Sequence, residues 1–90
     1  MVLKEFDMHG LNYFDAQLEA CRCMEEAYSE GLQGARFIHG HKHGSDLQNY
    51  VRKANGLGKD LRQHYPELPS IQVRPEGQAV TAALFEEKTG

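Results

Sequence analysis

Three histidines stand at alternate positions in RFIHGHKHGSD, residues 36–46: His39, His41 and His43, with Gly40, Lys42 and Gly44 among them. A further His-Gly pair, His9-Gly10, follows Asp7 near the start of the chain. Residues of these types suit two chemistries. As metal ligands, three alternate histidines on an extended segment would point to one side and offer three nitrogens to zinc, with Asp7 or His9 as a fourth ligand. Gly40 and Gly44 argue instead for a turn, where alternate side chains share no direction. As proton carriers near neutral pH, His9 and His39 suit a reaction at phosphate. The N–H groups of a glycine-containing loop, the start of the following helix and the Lys42 ammonium would then hold the anion. A third reading leaves His41 and His43 as exposed loop residues.

Such groups need elements to position them. Residues 2–8, VLKEFDM, read as a strand with Phe6 and Met8 on one face and Asp7 on the other. Gly10 ends it. Asn12 is a helix N-cap and Asp15 stands where a capping-box acid would. Phe14, Leu18, Cys21, Tyr28 and Leu32 follow at helical spacing and are expected to form the buried stripe, with Glu25 at its edge. Gly31 and Gly34 supply the stop. Cys21 then reads as core and Cys23 as an exposed thiol. Two positions apart on a helix they point in nearly opposite directions, which argues against a disulfide or a shared metal.

Residues 35–38 read as a second strand, followed by the histidine loop. Ser45 or Asp46 caps a second helix with Leu47, Tyr50, Val51, Ala54, Leu57 and Leu61 inward and Arg52 and Lys59 in water. Gly56 and Gly58 mark a kink or an early end. His64 closes this region, and Tyr50 and Tyr28 read as core. Residues 71–74 and 79–85 read as a third and fourth strand joined by a turn at Pro75–Gly77, and the tail from residue 86 reads as frayed. The order β-α-β-α-β-β implies a two-layer α/β sandwich with a four-stranded mixed sheet and two main helices. If the first two strands are neighbours, the turns bearing His9 and His39 meet at the carboxyl edge of the sheet, where α/β folds bind ligands.

The bulk composition narrows the partners. Ninety residues, 40% of them hydrophobic, make one domain spanning 1–90 and one core. No apolar run approaches a membrane span and no segment resembles a signal peptide, so a cytoplasmic protein with no membrane partner is expected, either whole or as a piece of a longer chain. The net charge of −3 argues against a strongly basic nucleic-acid binder, but the charge is uneven. Residues 1–34 hold two cationic side chains against seven acidic ones, and residues 35–74 hold seven against three. The positive half begins at the histidine loop and would admit an anionic partner.

FDMHGL at residues 6–11 resembles the Leu-Asp-Leu-His-Gly motif of the small MutS-related (Smr) domain family, and IHGHKHG at 38–44 resembles that family's His-Gly-x-Gly-x-Gly motif. The helix and strand between them, and the closing GQAVTAALFEE, are similar as well, so the resemblance spans residues 5–86. It implies an α/β sandwich related to the C-terminal domain of a bacterial translation initiation factor. It also implies nucleic-acid binding, DNA or RNA, and nicking endonuclease activity. On this resemblance Asp7, His9 and His39 are expected to be catalytic, and Gly40 and Gly44 match the second motif; Gly10, His41, Lys42, His43 and Arg74 are expected with those two glycines on the substrate side. A divalent cation such as magnesium is compatible with the Asp-His pair and is not demanded by it. Two positions depart from the family pattern. Lys42 replaces the middle glycine of the second motif, and the last turn, Gly-Gln-Ala-Val, is poorer in glycine. Both bear on catalysis more than on fold, and a non-catalytic module binding structured nucleic acid or a protein is the alternative.

Overall fold

A computed structural model of the chain describes residues 2–40 and 46–86. Seven elements follow in order: β1 (Lys4–Asp7), α1 (Tyr13–Ser29), β2 (Gly34–Ile38), α2 (Asp46–Arg52), α3 (Leu57–His64), β3 (Ile71–Pro75) and β4 (Val80–Phe85). The strands form one sheet in the order β1-β2-β4-β3, with β1 parallel to β2 and β4 antiparallel to both of its neighbours. The mixed α/β fold and its element order agree with the sequence reading. The second expected helix is two. Asn55, Gly56 and Gly58 are poor helix formers, and the chain leaves the helix after Arg52 and begins another at Leu57.

Strand alternation sets one face of the sheet against the helices. Phe6, Phe37 and Ala83 lie on that face with Met8 beyond β1, and they share one core with Ala16, Ala20 and Met24 of α1 and Val51, Leu57 and Leu61 of α2 and α3. Phe37 is fully buried and meets Phe6 edge-on with ring centroids 6.1 Å apart. The opposite face carries Glu5, Arg36, Gln72 and Arg74 at alternate positions.

The N-cap of α1 forms as expected. Asn12 Oδ1 accepts from the Asp15 amide at 2.8 Å, and Asn12 Nδ2 donates to the Asp15 carboxylate at 2.9 Å. The buried stripe of α1 is different from the expected one. Ala16, Ala20, Cys23 and Ala27 face the sheet, while Phe14 and Leu18 are 75% and 66% exposed. Tyr28 is half exposed and rests against Phe85 at 5.4 Å. The short alanine side chains admit close approach of helix to sheet, and the larger residues are left on the outer side. Cys23 is therefore buried, contrary to expectation. The helix packs against the sheet on one side and α3 and α2 on another, so thiols pointing in nearly opposite directions are both covered. Cys21 faces the Tyr50 hydroxyl at 3.8 Å, and burial pushes the Cys23 thiol up to about 11. Ala54, expected in the core, is exposed beyond the end of α2, whereas Tyr50 is buried as expected. Its hydroxyl donates to Asp60 at 2.7 Å.

Candidate functional site

The parallel pairing of β1 and β2 brings their carboxyl ends side by side, with Asp7 opposite Ile38. The Met8 amide adds one more bond to the Ile38 carbonyl at 2.9 Å, and the Met8 side chain is fully buried. That anchor stops the strand and throws His9 and Gly10 outward, through a turn closed by Leu11 N–H to the Met8 carbonyl at 3.3 Å. The second turn is tied to the start of β4, because the amides of His39 and Gly40 both donate to the Ala79 carbonyl, at 2.9 and 3.1 Å. Gly40 takes a positive φ of 73°, and a Cβ placed on it would lie 3.3 Å from the Cβ of His9. The two histidine-bearing turns therefore touch.

Their two histidines are in opposite states. His9 Nδ1 hydrogen-bonds Asp7 Oδ1, and the His9 amide donates to the same oxygen at 3.2 Å. A carboxylate only accepts, so Nδ1 carries the hydrogen and the neutral ring keeps its lone pair on Nε2. The imidazole is 68% exposed, leaving Nε2 open to solvent. The bond from His9 holds the Asp7 carboxyl below its ordinary range.

His39 is only 5% exposed. Its Nδ1 donates to the Gly40 carbonyl at 3.1 Å. Its Nε2 lies 2.9 Å from Thr81 Oγ1. That oxygen also accepts from Arg52 Nε at 2.6 Å. With Arg52 as donor, the Thr81 hydroxyl hydrogen is free to meet Nε2, so both ring nitrogens of neutral His39 are satisfied inside the protein. Burial, aided by the nearby Arg52 charge, holds this imidazole below its ordinary pKa. Of the two histidines expected to carry protons, the geometry leaves His9 available and encloses His39.

Arg52 was expected in water and is instead the hinge pin of this edge. Besides Thr81 it donates through one terminal nitrogen to the Gly77 carbonyl and, at 3.2 Å, to the Val80 carbonyl, bracing the turn between β3 and β4. Helical phase alone could not reveal this, since the partners come from a strand 29 residues away. Thr81→Val should therefore destabilise the fold by about 1–3 kcal/mol for each buried partner it orphans, His39 Nε2 and Arg52 Nε. Urea unfolding measures it, and Thr81→Ser, which keeps the hydroxyl, should stay near wild type.

The state of His39 also sets a pH dependence. The folded chain binds the His39 proton more weakly than the unfolded chain, whose imidazole titrates near the ordinary 6.5. The stabilisation is complete above that value and is lost as pH falls through the lower folded value. The carboxyls of Asp7 and Glu76 are also held low, from ordinary values of 3.8 and 4.5, so their contributions disappear in a more acidic window. A urea midpoint that falls on acidification from pH 7 towards 5, with the fall reduced in His39→Asn, is the expected result.

The remaining expected residues scatter. Arg74 is exposed on the outer face of β3, opposite Ala82, where its charge helps hold the Glu76 carboxyl low. Three strand spacings, about 14 Å, separate that strand from β1. Beside it Arg36 pairs with Glu76 at 2.6 Å and Glu5 at 3.6 Å. His41, Lys42, His43 and Gly44 lie outside the described residues, as do the zinc and phosphate-cradle readings that depend on them. Among the described residues no three histidine, cysteine or acidic side chains are grouped to hold a metal. Among them, too, no helix is long and apolar enough to cross a membrane.

The crystal structure of the Smr domain of Thermus thermophilus MutS2 is similar to this chain, with a TM-score of 0.67 and 28% sequence identity over 94% of this chain and 100% of that one. No protein-family model matches the chain, and no curated protein matches it.

Proposed function

The chain carries the Smr-domain fold, and from it we propose that the protein binds nucleic acid and cleaves phosphodiester bonds, as a nicking endonuclease, at the edge where the His9 and Gly40 turns meet. The observation that carries this reading is the Asp7–His9 pair, oriented within one turn and exposed beside the second motif. Asp7 fixes the ring and its tautomer, as the acid of a catalytic dyad does. His9 Nε2 would take the proton from the attacking water or ribose hydroxyl, and a protonated His9 would return one to the leaving oxygen. His39 serves here as a positioning residue. It is neutral and enclosed, and its bonds through Thr81 to Arg52 fix the turn that carries Gly40.

The experiment is cleavage of supercoiled plasmid and of a labelled structured RNA by nuclease-free protein, with and without magnesium. The metal is varied because the Asp7 carboxylate beside His9 is a hard oxygen donor suited to it. Cleavage of either substrate supports the reading and identifies which nucleic acid is preferred. A second reading, binding without cleavage, is favoured by the openness of the dyad, since 68% exposure of His9 leaves the water around it unexcluded. Salt-sensitive binding with no cleavage of either substrate would decide for that second reading.

A further inference from the structure

Between α2, α3 and the edge strand β3 lies a cavity of about 530 Å³, within the range of roughly 300–1,000 Å³ usual for ligand sites. Its floor is aliphatic, with Val51 and Leu61 from the helices and Ile71 and Val73 from β3. Arg52, Lys53 and Arg62 border it, and among the described residues no acidic side chain lines it. Glu67, in the adjoining loop, lines a separate depression with Tyr28 and Phe85. Among the described residues no carboxylate lies within ion-pair distance of Lys53 or Arg62. Arg52 is already bonded to Thr81 and to the Gly77 and Val80 carbonyls, and Lys53 also borders a neighbouring depression that holds Asp46 and Asp60. Lys53 and Arg62 are thus the two described cations left over the apolar floor without an ion-pair partner, an arrangement that favours a bound anion.

The cavity and the candidate site share Arg52. Arg52 forms part of the cavity wall and bonds Thr81, which bonds His39, whose neighbour Gly40 touches the His9 turn. A nucleobase is flat, largely apolar on its faces and flanked by phosphates, which matches an aliphatic floor with a cationic rim. Among the described residues no aromatic side chain lines the groove, but guanidinium planes also stack on bases. A paired base cannot enter such a cavity without being flipped out of its duplex, whereas an unpaired base only has to unstack.

We propose that this groove is a single-strand subsite of the same interface, taking an unpaired nucleobase on its aliphatic floor and the adjacent phosphates on Lys53 and Arg62. It rests on the nucleic-acid reading above. The test is fluorescence anisotropy with a short labelled oligothymidylate and with a mixed-sequence duplex of the same length. Wild type is compared with the Lys53→Ser/Arg62→Ser double variant, whose fold is checked by circular dichroism; both substituted residues are exposed. The double variant should bind the single strand about five- to tenfold more weakly. Its salt slope on a log–log plot should be shallower by about 1.4, the release of two single-strand contacts. Duplex affinity should change less. Unchanged single-strand affinity and slope would overturn the groove and leave the nucleic-acid reading standing. Equal losses on both ligands would make the two residues general phosphate contacts and also overturn it. Failure of wild type to bind either ligand would remove both proposals.

Discussion

His9→Ala is expected to lower cleavage by about 10²–10⁴-fold, the usual contribution of a positioned general acid or base. In barrier height that is about 3–5 kcal/mol. The substitution removes a ring that is 68% exposed and contacts little besides Asp7, so the fold should survive it. Affinity for nucleic acid should change little, which places the loss in turnover. Asp7→Asn should act in the same direction but less strongly. The amide keeps the shape and one acceptor oxygen, yet loses the charge that stabilises a protonated imidazole. His39→Asn should behave differently from both, lowering stability along with activity because it breaks the network to Thr81 and Arg52. Cleavage by His9→Ala at the wild-type rate, with His39→Asn inactive but fully stable, would transfer the proton-carrying role to His39.

Gly34→Ala should be the most damaging single change to the fold, costing more than about 4 kcal/mol. Gly34 has φ of 155°, and a Cβ there would lie 2.0 Å from the Ala83 carbonyl oxygen and 2.9 Å from the Leu84 Cα. Both obstacles are backbone atoms of β4, paired with β2 in register, so neither can swing aside. Relief requires β2 and β4 to separate, and these two strands deliver His39 and Thr81 to the site. Against a total stability of about 5–15 kcal/mol, the variant should be largely unfolded or markedly weakened towards urea. Gly31→Ala is the control. Gly31 also has a positive φ, 75°, but a Cβ there meets nothing within 4 Å. It should cost only the backbone strain, about 1–2 kcal/mol. Similar urea midpoints for the two variants would show that the approach of β4 is not what requires Gly34.

The strands were legible because alternation reports directly which side chains face a layer. Phe6 and Met8 inward with Asp7 outward is enough to locate the end of β1, and glycine then marks the turn. The meeting of the two turns followed from topology, since parallel neighbours must present the same edge. The burial of α1 was not legible in the same way. Its sequence has apolar residues on more than one side, and the larger ones, Phe14 and Leu18, outweigh the alanines in any reading by hydrophobicity. Only the closeness of helix to sheet decides for the small residues, and closeness is a tertiary property. The difference between His9 and His39 was hidden for a related reason. Both precede glycine, yet one follows a strand residue whose carboxylate turns back to it. The other is continued inward beneath α2 and meets Thr81 of a distant strand. Arg52 shared that fate, because its partners are carbonyl and hydroxyl oxygens on and next to β4 that no local pattern announces.

The central claim is that the turns of His9 and Gly40 form one nucleic-acid site, and amide chemical-shift mapping with a short single-stranded oligonucleotide tests it most directly. The expected perturbations cluster at residues 7–10, 39–40 and 77–81, with a second set at the groove residues 51–53, 61–62, 71 and 73. Shifts confined to the exposed outer side of α1 around Phe14 and Leu18, with the amides of both turns unmoved, would contradict it.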